Sequence, residues 1–288
     1  MTRTSIITLT SLFLVRLGST AFANAYRNVV LADNPTLYWN FDEASGNAVD
    51  LVQGATLAPM NGATRSASMT TLTGVGLGNA ASLVGPNQTF GNAALGLGSS
   101  DTSWIVEFWV QQTVNSQAYF WNAGANQPAG IYGFNPSAAE LYNLGANRTG
   151  ASGPSTLSDL GWHHVVMGFH EGGATDTHTF IYDGGTPQEF TSVNNVTIDM
   201  DSFWAGSAAS AAQGMTGLLD ELAIYELGNS LTKGQFDAAL ANIASHANVV
   251  VPEPSTALLL TLGTVGLLAR RRRVAGSPAG ARRKLRKA

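Results

Sequence analysis

Gly214-Met-Thr-Gly-Leu-Leu-Asp-Glu-Leu-Ala-Ile-Tyr-Glu226 is the stretch on which the reading of this chain turns. Its residues alternate, with Leu218, Asp220, Leu222 and Ile224 on one side and Leu219, Glu221, Ala223 and Tyr225 on the other, the period of two of a β-strand. Both sides are largely apolar, so the strand is expected at the centre of a sheet covered on both faces. Asp220 is the exception. A buried carboxylate is costly unless backbone donors or a cation compensate, so hydrogen bonding is the first reading and a calcium ion the second.

Other segments carry the same period. Thr36 to Phe41 places Leu37, Trp39 and Phe41 together, and Trp104 to Val110 places Trp104, Val106, Phe108 and Val110 on one face. The opposite face of that strand carries Ile105, Glu107 and Trp109. Short strands near Ala80 to Val84, Tyr119 to Trp121, Ile131 to Phe134 and Leu141 to Leu144 are separated by turns of Gly, Asn and Pro. Trp162 to His170 is expected to pair with His178 to Asp183, and Ser202 to Ser207 precedes the organising strand. Only the closing segment reads as a helix. Thr232 and Gln235 form a capping-box pair, and Leu231, Phe236, Leu240 and Ile243 form one apolar stripe over Thr232 to Ser245.

In Gly217 to Tyr225 a glycine, an Asp-Glu pair and an aromatic succeed one another. With Pro35 to Asp42, Ile105 to Val110, Gly161 to Val166 and Ile181 to Gly184 in order, this resembles the laminin-G-like, concanavalin A-type lectin and glucanase superfamily. The resemblance spans about Leu31 to His246 and implies an all-β jelly-roll β-sandwich with a short C-terminal helix. It further implies a face that meets sugars, for which Glu107 beside Trp109 is the candidate pair. The competing reading packs Trp109 inside the sandwich. β-Glucanases of this superfamily carry paired acids as E-x-D-x-x-E. No Glu here is followed by Asp two residues on, so the expectation is a binding module and not an enzyme.

Composition narrows the partners. Residues 26–251 hold 4 basic residues against 18 acidic ones, a net charge of −14, which argues against nucleic acid. Cysteine is absent, so neither a disulfide nor a thiolate is available. The turn-rich loop Asp42 to Gly54 holds Asp42, Glu43 and Asp50, oxygen ligands of the kind calcium takes. Asp50 and Asp220 are therefore the calcium candidates, with turn hydrogen bonding as the alternative. Adjacent His163 and His164 point to opposite faces of a strand. His164 and His170 lie ~20 Å apart at ~3.3 Å per residue, so only His170 with His178 could share an ion.

The ends of the chain carry export signals. Residues 1–25 combine Arg3, an apolar run from Ile6 to Leu17 and small residues at Ala21, Ala23 and Ala25, a secretory signal peptide. Residues 26–246 form the domain, and 247–254 a linker with Pro252, Glu253 and Pro254. Residues 255–273 hold an apolar helix closed by Arg270, Arg271, Arg272 and Arg273, and 274–288 a second basic tail. This end resembles the PEP-CTERM sorting tail of bacteria with exosortase-type export. The resemblance implies an inner-membrane-anchored precursor, a processing enzyme as partner, and delivery to the cell surface or extracellular polysaccharide. The apolar run from Ser255 to Ala269 gives only ~22 Å of helix against a ~30 Å hydrocarbon core, so the arginines must snorkel. At the surface, the domain would bind a polysaccharide or surface protein, or serve as matrix without a defined ligand.

Overall fold

The computed structural model describes residues 26–249 except 68–77, 85–86, 101, 115–117, 125–128, 135–137, 144–159, 173–175, 193–197 and 208–213. The signal-peptide segment, the Pro252-Glu253-Pro254 motif, the apolar run and the arginines lie outside the described residues. Contacts divide the chain into Met1–Val249 and Val250–Ala288, and the described residues all belong to the first of these units.

The described residues open with helix α1 (26–32). Then come β1 (Leu37–Trp39), β2 (Ala48–Val49), β3 (Thr56–Met60), β4 (Thr64–Ala67), β5 (Asn79–Leu83) and β6 (Thr89–Asn92). They are succeeded by β7 (Ser99–Ser100), β8 (Ser103–Gln112), β9 (Ala118–Tyr119), β10 (Trp121–Ala123), β11 (Ala129–Phe134) and β12 (Ala138–Asn143). The last strands are β13 (Trp162–His170), β14 (Asp176–Tyr182), β15 (Gln188–Ser192), β16 (Ile198–Asp199), β17 (Phe203–Ala205) and β18 (Gly217–Gly228). Helix α2 (Lys233–Ala244) and a 3-10 turn (Ser245–Asn248) close the domain.

Two antiparallel sheets face each other. The first runs β15-β14-β13-β8-β18-β5-β4, with β1 also paired to β18; the second runs β12-β11-β10-β17-β6-β3-β2, with β9 on β11. The expected organising strand, β18, is central: it pairs with β8, β5 and β1. Trp104, Val106, Phe108 and Val110 of β8 enter the core as the alternation requires. An aromatic chain ties the two sheets across that core. Trp39 stacks on Phe203 at 5.5 Å, Phe203 on Trp121 at 5.8 Å, and Trp121 meets Trp104 edge-on at 5.9 Å. Among the described residues the architecture is a β-sandwich of two sheets, with β7 and β16 forming a separate two-stranded pair and short helices before β1 and after β18.

Two expectations are corrected. First, β18 does not keep one phase. Its register against β8 shifts between Asp220 and Ala223, and Glu221 takes φ +53. This β-bulge inserts an extra residue and swaps the faces. Leu219 points into the core before it, and Leu222 and Ile224 do so after it. Asp220 therefore does not share the face of Leu222 and Ile224. Second, α1 was not expected; Tyr26 and Val30, one helical turn apart, are its buried residues.

Helix α2 obeys its sequence signal closely. Thr232 accepts from Gln235 N–H, and the Gln235 side chain reaches back to Thr232 N–H. Phe236, Leu240 and Ile243 are buried against the outer face of the first sheet, which admits them at Gly168. A Cβ there would lie 2.7 Å from the Phe236 ring, so the glycine sets how closely helix and sheet approach.

Candidate functional site

The outer face of the first sheet, the one turned away from the sandwich core, carries Glu107 and Trp109, the sequence-derived ligand pair. It is covered by α1, α2 and the 3-10 turn, so Glu107 is 0% and Trp109 7% exposed. Trp109 therefore packs neither inside the sandwich nor on an open sugar-facing surface: it lies between sheet and helix, edge-on to Tyr26 at 6.2 Å and 5.1 Å from the His164 ring.

Glu107 is the hub of this layer. His164 Nε2 of β13 lies 3.0 Å from its Oε2, and the Tyr26 hydroxyl of α1 donates to the same oxygen at 3.5 Å. His246 Nδ1 of the 3-10 turn is 3.1 and 3.0 Å from the two carboxylate oxygens, and the Tyr225 hydroxyl of β18 donates to Oε1. The other ring nitrogen of His246 reaches Asp33 Oδ2 at 2.8 Å, and Asn242 Nδ2 donates to that oxygen at 2.7 Å. With a carboxylate against each ring nitrogen, His246 must donate twice, which only the imidazolium can do.

The electrostatics agree. Burial by itself would raise the Glu107 pKa, but hydrogen bonds from His164 and His246, together with their charge, bring it down to about 2. Burial opposes a charged His246, yet hydrogen bonds and charge from Glu107 and Asp33 raise its pKa above the ordinary value. Glu221, at the bulge, goes the other way. Burial, reinforced by the charges of Asp42 and Glu107, raises it well above the carboxylate range although the Tyr38 hydroxyl donates to Oε2 and Arg27 lies near. One face thus holds a carboxyl whose ionised form is favoured, Glu107, and one whose protonated form is favoured, Glu221. His164 Nδ1 and Glu221 Oε1 are buried in the same layer without hydrogen-bond partners.

The calcium candidates are not brought together as a ligand set. Asp50 accepts backbone N–H groups from Tyr38 at 2.5 Å, Val52 at 3.2 Å and Gln53 at 2.5 Å, so both oxygens are engaged in holding its turn. Asp42 accepts from Asn79 N–H, and Glu43 from Val49 N–H and Arg65. Asp220 accepts the N–H of Glu221 at 2.9 Å within the bulge. Among the described residues no three His, Asp or Glu side chains have the arrangement of a metal site. His170 and His178 face opposite ways: His170 packs on Phe236 of α2, while His178 meets Phe169 of the core edge-on. They cannot share an ion.

An open cleft of about 470 Å³ lies between the β13–β14 connection and the start of α2, lined by His170, Glu171, Gly172, Asn229, Leu231, Thr232 and Lys233. Its polar groups mostly serve the fold: His170 Nε2 meets Leu231 O at 3.1 Å, and Lys233 is paired to Glu189 and Asp237. On the outer face of the second sheet, Trp204 lies over Gly91, and neighbouring Asn122 is fully buried with its carboxamide unpartnered. Neither feature was legible as a site in the sequence, because each depends on strands far apart in the chain.

Residues 250–273 match the PEP-CTERM protein-sorting motif. The chain therefore carries that tail, the mark of an exported precursor associated with the membrane. No curated protein matches the chain. Among solved structures it is similar to domain 4 of AbnA, an extracellular GH43 arabinanase from Geobacillus stearothermophilus, in complex with arabinotriose. The identity is 16%, covering 72% of this chain and 98% of that one, with a TM-score of 0.48. It is also similar to the CBM40 of a Ruminococcus gnavus sialidase bound to α2,6 sialyllactose, at 11% identity over 48% and 83% of the chains, TM-score 0.37. Mouse laminin α1 domains LG4-5 match at 18% identity over 45% and 38%, TM-score 0.35.

Proposed function

We propose that this protein is an exported, noncatalytic binding module of laminin-G-like architecture, with a glycan or protein ligand, delivered to the cell surface or extracellular polysaccharide through its sorting tail. The observation that carries the reading is the sorting motif at residues 250–273 directly after a β-sandwich domain. The noncatalytic part is supported by where the acids are. Glu107, Asp220 and Glu221, the carboxylates nearest in kind to a hydrolytic pair, are each 1% exposed or less. A hydrolase needs two carboxyl groups flanking a bond that solvent and substrate can reach. Ligand contact through Glu107 and Trp109 requires α1 and the C-terminal 3-10 turn to move aside; otherwise it falls to the remaining surface.

In this reading residues 1–25 are a signal peptide and Ser255 to Ala269 an anchor, with Arg270, Arg271, Arg272 and Arg273 holding its end at the cytoplasmic side. An exosortase-type enzyme then cuts near Pro252, Glu253 and Pro254. Among the described residues no helix is long and apolar enough to cross a membrane. The test is a panel of polysaccharides incubated with the protein, in calcium and in chelator, with reducing sugar measured alongside. Saturable binding without sugar release supports the proposal. Release of reducing ends would make it a glycoside hydrolase, and no binding to any polysaccharide or surface protein would leave a matrix role.

A further inference from the structure

The Glu107 cluster joins the two ends of the domain. Tyr26 and Asp33 come from the N-terminal segment and His246 from the C-terminal turn, 139 residues from Glu107 in sequence, yet Asp33, His246 and Glu107 form one hydrogen-bonded line. The rings of Tyr26 and His246 also meet, edge-on at 6.2 Å. Removing either segment leaves a carboxylate or an imidazolium buried without its partner, so the two dock as one unit.

The position of His246 in the chain gives that docking its consequence. The matched sorting motif begins at residue 250, one residue beyond the end of the first compact unit. The turn before it is held from several sides. Ser245 Oγ donates to Asn242 O at 2.6 Å, Val249 N–H donates to His246 O at 3.1 Å, and Asn248 packs against Gly184 of the β14–β15 hairpin. Gly184 and its neighbour Asp183 are tied in turn to the sheet, since Asp183 accepts from His164 N–H and contacts His163 Nδ1 at 2.8 Å. A processing enzyme acts on extended, accessible backbone, and a folded turn locked to a sheet offers none.

We propose that the Glu107 cluster is a latch that keeps Ser245–Asn248 folded on the sheet and thereby confines tail processing to the chain beyond Val249. The proposal rests on the reading that the tail is processed. Because α1 is held by the same carboxylate, the latch also couples the two ends: loosening one loosens the other, as reciprocal linkage requires.

The test uses the full chain in its native host, comparing wild type with Asp33→Asn and His246→Ala. The length of the mature C-terminus is read by intact mass and the rate of precursor loss by pulse-chase. Hydrogen exchange of the purified precursor in detergent reports the turn and α1. In Asp33→Asn, exchange of residues 245–248 and of 26–32 rises roughly tenfold, the effect of weakening one charge-assisted hydrogen bond, and it rises further in His246→Ala, which loses its contacts to both Glu107 and Asp33. Precursor disappears faster and additional products end before Val249. If exchange rises while the mature C-terminus and the rate stay those of wild type, the latch does not govern processing. If exchange rises in the turn alone, the ends are not coupled. Should His246→Ala fail to fold, Asp33→Asn still decides, because it leaves the bonds between Glu107 and His246 in place. A wild-type surface form still ending at Ala288 would overturn the processing reading itself, an outcome distinct from failure of the latch.

Discussion

Replacing Glu107 with Gln tests the reading that a buried ionised carboxylate holds the helices to the sheet. The carboxyl goes from an ordinary 4.5 to about 2 on folding and is fully buried. At ~1.4 kcal/mol per unit, that difference is worth about 3 kcal/mol of stability. The sign comes from the direction: a lowered pKa contributes in full above about 4.5 and is lost as pH falls toward 2. His246 acts oppositely. Its raised pKa contributes in full below the ordinary 6.5 and is lost as pH rises through the folded value. The groups facing the pair are His164, Tyr26, Tyr225, Asp33 and Glu221. Docking is therefore strongest between about pH 4.5 and 6.5. Gln cannot ionise but has the shape of the protonated acid. Urea unfolding of residues 26–249, monitored by tryptophan fluorescence, should show Glu107→Gln less stable than wild type by about 3 kcal/mol at pH 6, with the gap closing near pH 2. A gap that stays constant across that range refutes an ionised Glu107.

Glu221→Gln should behave in the opposite way: because burial raises this pKa and disfavours the carboxylate, the variant matches or exceeds wild-type stability at pH 7, and its advantage grows as pH rises. Thermal melts at pH 5 and 9 check this, and a loss at both values refutes it. Trp121→Ala removes the ring that joins Phe203 to Trp104 across the core and should cost about 3 to 5 kcal/mol in chemical denaturation. Asp50→Ala strips the acceptor from three backbone N–H groups and should cost about 2 to 3 kcal/mol. With those oxygens so engaged, wild type should melt at the same temperature in millimolar calcium and in chelator. A calcium-dependent rise would restore Asp50 or Asp220 as ligands.

The features legible in the sequence are those whose physics is local. Alternation in Trp104 to Val110 and Trp162 to His170 marks strands because successive side chains must leave opposite faces. Thr232 and Gln235 announce the start of α2 because the capping bonds span three residues. The sorting tail is a contiguous string, read without any fold. Everything else depended on contacts between distant segments. Alternation says that Glu107 and Trp109 share a face but not what covers it, and the cover comes from Tyr26, 81 positions earlier, and His246, 139 later. The face swap in β18 was hidden for a related reason. A bulge at Glu221 leaves the apolar pattern nearly unchanged in sequence, and only the pairing partners β8 and β1 show which residues turn inward. The charge states of Glu107 and Glu221 were equally out of reach. Two chemically identical carboxyls were driven apart by burial and by neighbours that no short window of the chain contains.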